Sequence, residues 1–272
     1  MNIKYIGRAI RTVYRIKNLS LYPEDKFFNK LKPNIAKIII VLRNKGILPF
    51  QKVNFYSLIY KINKIKYTPA DTNWKDYHNQ YIADDGSIKA SIRFQRIAEI
   101  IKLLEIRNLC ELAGNQGIFS RILLEQGIVE QIVCSDYDHN AVDIMYLMTK
   151  ENKINCTPVV LNFINPIART YSKPPNDRFK ADAVVALAVT HHLSLTQKIP
   201  IESILEILKQ YTRKYVFIEF MPMGLYDGSE TPPVPEWYNV HWFRNNFIKF
   251  FDILAEETLE ENRYLFVGII KN

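Results

Sequence analysis

From Leu109 onward, short apolar stretches alternate with amphipathic ones. Leu109–Leu112, Gln131–Ser135, Thr157–Phe163, Ala181–Val189 and Lys214–Phe220 are brief and mostly apolar, which predicts five strands. Between them, Ile118–Gln126, Asn140–Lys150 and Ile201–Tyr211 read as helices. Ser91–Leu104 precedes the series as a helix, with Ile92, Ile97, Ile100, Ile101 and Leu104 on one face. Strand and helix in regular alternation predict an α/β fold, a mainly parallel sheet covered by helices on both faces. The tail breaks the rhythm. Phe250–Ala255 and Arg263–Ile270 read as two strands joined by an acidic turn, so the sheet should close with an antiparallel hairpin and hold seven strands.

The first 70 residues follow a different pattern. Ile3, Ile6, Ile10, Val13 and Tyr14 sit at helical spacing among basic residues, Pro33 opens a second helix, and Asn54–Lys66 is a third. Thr68-Pro69-Ala70-Asp71 reads as a linker, dividing a helical region at 1–70 from an α/β domain at 71–272. Charge supports the division. Residues 1–66 hold fifteen Lys and Arg against Glu24 and Asp25, a balance of +13, so the overall +8 leaves −5 for the remainder. Such a segment suits an acidic partner, which is RNA, an anionic membrane face or a phosphorylated substrate, or it is a solvated helical cap.

Apolar residues make up 48% of the chain, enough for a large core and too many for disorder. Cys110, Cys134 and Cys156 lie within or beside apolar runs without metal or redox spacing, so they are expected to be buried and reduced. No stretch of the basic segment approaches a membrane span, and Arg8, Arg11 and Arg15 interrupt any signal-like run, so a cytoplasmic protein is expected. Oligomeric state is not legible.

Candidate chemistry centres on Glu111-Leu112-Ala113-Gly114-Asn115-Gln116-Gly117. A strand ends in an acid, turns through small residues and enters a helix, which aims backbone N–H groups and a helix N-terminus at one point. The next strand leads into Asp136, where an acid can take the hydroxyls of a ribose. His191 and His192 follow the fourth strand, and Glu219 ends the fifth. Alternation along a strand turns successive side chains apart, so one histidine at most is expected to act, with His191 favoured. Trp74, Tyr77, Tyr226, Trp237, His241 and Trp242 are candidate substrate walls, with packing as the competing role. No ligand set for a metal is evident.

The order of five strand–helix units closed by a hairpin, with Glu111–Gly117, Ser135-Asp136-Tyr137-Asp138 and Ala181–Leu193, resembles the class I S-adenosylmethionine-dependent methyltransferases, a Rossmann-like family. Trp74-Lys75-Asp76-Tyr77, Asn165-Pro166, the His-His-Leu ending at Leu193 and Ile218-Glu219-Phe220-Met221-Pro222 look like a bacterial subgroup with an extra N-terminal helical region. The resemblance implies S-adenosylmethionine as cofactor. Glu111 would orient its ammonium, and Ala113, Gly114, Asn115, Gly117 and Ala188 would line it. Asp136 would take the ribose, Tyr137 would stack beside the adenine, and Asn162 would accept from the adenine amino group. Asp138 is expected to cap the next helix instead. His191, His192 and Glu219 would serve methyl transfer to oxygen or nitrogen of a small-molecule or glycan-type acceptor. An RNA methyltransferase using the basic segment is the alternative. A non-catalytic binding or scaffold protein is a third, because Ala113 and Asn115 stand where the family usually has glycine.

Overall fold

The structure, a computed structural model, describes Tyr81, Ile88 and residues 91–166, 173–225 and 233–271, all within the unit that spans 69–272. The basic segment, Trp74, Tyr77 and Tyr226 lie outside the described residues.

In chain order the elements are α1 (Ile92–Leu103), β1 (Asn108–Leu112), α2 (Ile118–Glu125), β2 (Gln131–Asp136), α3 (His139–Asn152), β3 (Cys156–Val160), α4 (Pro175–Arg178), β4 (Ala181–Ala186), a π-helical turn (His192–Thr196), α5 (Ile201–Tyr211), β5 (Thr212–Phe220), α6 (Val240–Phe247), β6 (Phe251–Glu260) and β7 (Arg263–Ile270). The strands form one seven-stranded sheet in the order β3-β2-β1-β4-β5-β7-β6. β1 to β5 pair in parallel, and β7 pairs antiparallel with both β5 and β6. The Rossmann-like fold and the terminal hairpin are therefore present as expected.

Burial explains the order. β1 and β4 are buried on both faces and sit at the centre, whereas β6, at an edge, is mostly exposed or partly buried beyond Phe251. The opposite edge is β3, where Pro158 costs less than it would in the middle of a sheet. Helices α1, α2 and α3 cover one face of the sheet through Ile97, Ile101, Phe119 and Met145. The other face packs on α5, whose Ile201, Ile204, Leu205 and Leu208 form its apolar stripe, and on Phe243 and Phe247 of α6. All three cysteines are buried thiols.

Most predicted bounds shift by a residue or two, and larger departures from the sequence reading include the following four. β3 stops at Val160 rather than Phe163, because β2 ends at Asp136, whose carbonyl accepts the last ladder bond from the Leu161 N–H at 2.9 Å. β4 stops at Ala186 rather than Val189, because Ala188 adopts a left-handed φ of 48°. α6 lies in a stretch to which the sequence reading assigns no element, capped by the Asn239 side chain, which accepts from the Trp242 N–H at 2.9 Å. β6 runs on to Glu260 through residues that read as an acidic turn, because Glu256 and Glu257 meet Arg244 and Arg96 across the surface.

The hairpin also ties down the chain beyond β5. Asn262 is buried at the β6–β7 turn, where its Oδ1 accepts from the Met223 N–H at 2.7 Å. Asn262→Ala leaves that donor without its partner and is expected to cost about 1–3 kcal/mol. Equilibrium denaturant unfolding checks it, and an unchanged midpoint would refute the assignment.

Candidate active site

Strand order reverses between β1 and β4, which leaves a crevice at the C-terminal ends of the strands. The loop after β1 occupies that place. Ala113, Asn115 and Gly117 all have left-handed φ angles, of 57°, 50° and 73°. The two non-glycine residues thus adopt the backbone that their glycine-like positions require. Asn115 is helped by its own side chain, whose Oδ1 accepts from the Gln116 N–H at 2.9 Å. Ala113 has no such aid, and a left-handed alanine costs roughly 1–2 kcal/mol.

Gly114 is required for a different reason. A Cβ there would lie 2.5 Å from Cys134 Sγ and 2.8 Å from Glu111 Cδ. The turn is therefore packed directly on the acid. Gly117 then caps α2 without a side-chain hydrogen bond, so the helix start presents backbone N–H groups beside the loop.

Glu111 is 3% exposed. Its carboxylate accepts from the Ser120 hydroxyl on α2, and Cys134 Sγ lies 3.5 Å away. Burial pushes its pKa up to about 7, against the opposing effect of the Ser120 hydrogen bond. Asp136 joins the two strand ends. Its Oδ2 accepts from the Asn115 N–H at 2.7 Å and its Oδ1 from the Asp138 N–H at 2.8 Å. Burial raises its pKa too, against those backbone bonds. The Tyr137 backbone is a third donor to this carboxylate, and of its four lone pairs one stays open to a ribose hydroxyl.

Tyr137 is exposed beside Asp136, where a planar base can stack on it. Asp138 caps α3, accepting from the Asn140 N–H at 2.8 Å, as the sequence suggests. Asn162 is seen as a turn residue, its Oδ1 accepting from the Asn165 N–H at 3.2 Å.

The histidine pair differs from the sequence expectation. His191 already has helical backbone angles, so the two side chains do not alternate as on a strand. Their rings tilt together with centroids 4.0 Å apart. His191 is 4% exposed, and burial, with His192 and Arg263 adding to it, pushes its pKa down to about 3. Its linked stability is complete above the ordinary value of 6.5 and is lost as pH falls towards 3. Burial lowers His192 as well, but His192 is only partly buried. Neither imidazole therefore titrates at its ordinary value, and His192 is the more accessible of the two.

Glu219 is fully buried and held by two arginines that sequence reasoning missed. Arg93 Nη1 on α1 donates to both carboxylate oxygens at 2.9 and 2.8 Å, and Arg263 Nη1 on β7 donates to Oε2 at 3.1 Å. Burial would lower the Arg93 pKa, but the Glu219 charge and hydrogen bonds outweigh it and raise it. The only sequence signal for this was an arginine at an inward position of α1, among Phe94, Ile97 and Ile101.

Of the candidate walls, Trp237 and Trp242 meet edge to face at 4.8 Å. His241 is exposed on α6, with its Nε2 3.0 Å from Asn245 Nδ2.

Sheet order and loop together define a Rossmann-like fold with an acid-lined site at its strand ends. No protein-family model matches the chain. In sequence it is similar to the nodulation protein NoeA of Rhizobium meliloti (strain 1021), with 31% identity over 156 residues, 55% of this chain and 32% of NoeA. The chain thus spans about a third of the length of that curated relative. In structure it is similar to the PH0226 protein from Pyrococcus horikoshii OT3, with a TM-score of 0.57 and 15% identity over 74% of this chain and 100% of that one. A SAM dependent methyltransferase from Aquifex aeolicus aligns with a TM-score of 0.47 and 13% identity, over 65% of this chain and 89% of that one. At 15% identity the likeness to PH0226 is one of fold.

Proposed function

We propose that the chain is an S-adenosylmethionine-dependent methyltransferase acting on an oxygen or nitrogen atom of a small-molecule or glycan-type acceptor, within the bacterial subgroup its motifs resemble. The observation that carries this reading is the turn after β1. Its Ala113 and Asn115 keep the left-handed backbone of a glycine loop, and Gly114 lies where a Cβ would strike the acid beneath. A loop that had lost its ligand would have little reason to retain that strain, which counts against a merely degenerate scaffold.

The residues fit the cofactor. Glu111 offers a buried and Asp136 a half-buried carboxylate, whose raised pKa values a cationic ligand would draw back down. When bound, S-adenosylmethionine supplies a methyl group already activated by a sulfonium. The protein's share is then mostly positioning, worth up to about 7–11 kcal/mol in favourable cases. Asp136 and the Gly114–Gly117 backbone would hold the nucleoside, with Tyr137 against the base and Glu111 near the ammonium. His192, half-buried and neutral, is the better placed of the histidines to take a proton from the acceptor. Glu219 serves through the arginines it anchors.

Calorimetry with S-adenosylmethionine tests the reading. Asp136→Ala should weaken binding by about tenfold or more. His192→Gln should leave binding intact and lower turnover by about 10²–10⁴-fold. No heat of binding at millimolar ligand overturns the proposal. A nucleic-acid acceptor is the second reading, supported by the +13 balance of residues 1–66. It requires acceptor binding that weakens steeply with salt.

A further inference from the structure

A cleft of about 340 Å³ opens between the segments that leave β4 and β5, and its lining includes Ser194, Lys198, Pro200, Glu202, Trp237 and Trp242. Ser194 belongs to the same π-helical turn as His192, two residues further along it. We propose that this cleft binds a sugar ring bearing an anionic substituent, a carboxylate or a phosphate, and so selects the acceptor. The assignment rests on the methyltransferase reading for its catalytic meaning, but not for the binding itself.

Four features converge on that chemistry. The volume lies at the small end of ligand pockets, suited to a single ring. Trp237 is 50% exposed in a solvent-facing position, and its indole meets Trp242 at 60°, which makes a corner with a free apolar face. α5 begins at the cleft with Pro200 as its N-cap and no side-chain cap, and its first intrahelical bond is Ile204 N–H to the Pro200 carbonyl at 3.2 Å. The N–H groups of its first turn therefore face an anion site that Lys198 completes; Lys198 makes no ion pair among the described residues. Glu202 lies in that turn, but Lys249 pairs with it at 3.3 Å.

The fourth feature points to a ligand independently of the helix. Ser194 is 8% exposed, and its Oγ has no hydrogen-bond partner among the described residues. Ser194 is part of the cleft wall, and a buried hydroxyl left unpaired is a cost that a ligand oxygen at that wall would relieve. A hydroxyl, an ammonium and backbone donors around an indole face suit a polyhydroxylated acidic ring better than an aromatic acid.

Calorimetry on the full chain, without cofactor, decides the matter with four probes: D-glucuronate, D-glucose 6-phosphate, methyl glucoside and benzoate. At least one of the two acidic sugars should bind saturably, and the comparison between them separates carboxylate from phosphate. Methyl glucoside and benzoate should each bind about tenfold more weakly or worse. Lys198→Met should weaken the acidic sugar about tenfold and leave the glucoside unchanged, whereas Trp237→Ala should abolish both. Both positions are at the surface, and unchanged S-adenosylmethionine affinity in each variant confirms an intact fold. Absence of saturable binding by either acidic sugar at tens of millimolar overturns the inference, as does indifference to Lys198→Met or benzoate binding as tightly as glucuronate. If the wild-type chain binds S-adenosylmethionine but no acidic sugar, the cleft assignment fails alone. If it binds the sugar but not S-adenosylmethionine, the methyltransferase reading fails and the sugar site stands.

Discussion

Glu111→Gln is expected to raise the stability of the cofactor-free protein at pH 8 while weakening S-adenosylmethionine binding by about 10- to 100-fold. Both effects come from one buried carboxyl. Its pKa rises from the ordinary 4.5 to about 7 in the fold. Between those values the native state holds a proton that the unfolded chain has released. Its linked stability is therefore complete below 4.5 and is lost as pH rises through 7, by up to about 3 kcal/mol. Glutamine keeps the shape and removes that loss. It also removes the charge that would face the ligand's ammonium. Cofactor affinity in the wild-type protein should accordingly rise from pH 6 to pH 8 by up to about tenfold, with proton release on binding, and the variant should show neither effect. Thermal melts and calorimetry in two buffers of different ionisation enthalpy measure these quantities. A wild-type affinity independent of pH would show that the carboxyl does not face the ligand.

Arg93→Ala is the second large effect, and it acts on the fold. The guanidinium is almost fully buried and holds both oxygens of the fully buried Glu219. Removing one member of a buried ion pair leaves the other uncompensated, at a cost of about 3–5 kcal/mol. Arg263 remains on Oε2, which should keep the loss towards the lower end. Replacing Arg93 and Glu219 together by Met and Leu should recover most of it, because the stranded carboxylate is then gone and Arg263 keeps Glu260 at 3.1 Å. Denaturant unfolding of the single and double variants tests this. A double variant as unstable as the single one would mean that packing, rather than charge, dominates here.

The parts legible in the sequence were those that depend on local pattern. Ile201–Tyr211 and Arg263–Ile270 have the bounds their periodicity predicts, and Asp138 is the cap its position suggests. The misreadings came where a distant partner decides. Glu256 and Glu257 look like turn residues until Arg244 and Arg96 are brought beside them. His191 and His192 look like alternating strand positions unless Ala188 is known to end β4 early. Glu219 was noticed, but the arginines holding it lie 126 and 44 residues away in sequence. One miss had a local signal. Asn239 followed by Val240, Phe243 and Phe247 is a capped helix with an apolar face, in a stretch to which the sequence reading assigns no element.

The acids of β6 bear on self-association. β6 is an edge strand ten residues long, the kind that invites a second molecule to extend the sheet. A copy added antiparallel would bring its own Glu256, Glu257 and Glu260 against the same row, so charge repulsion and broken arginine pairs oppose the docking. At the other margin, Pro158 in β3 has no N–H to offer a newcomer. The two ends of the sheet are thus guarded by different means, and only one is sensitive to acid. Protonating the β6 glutamates would leave that margin open to growth into aggregates while the proline margin stays closed.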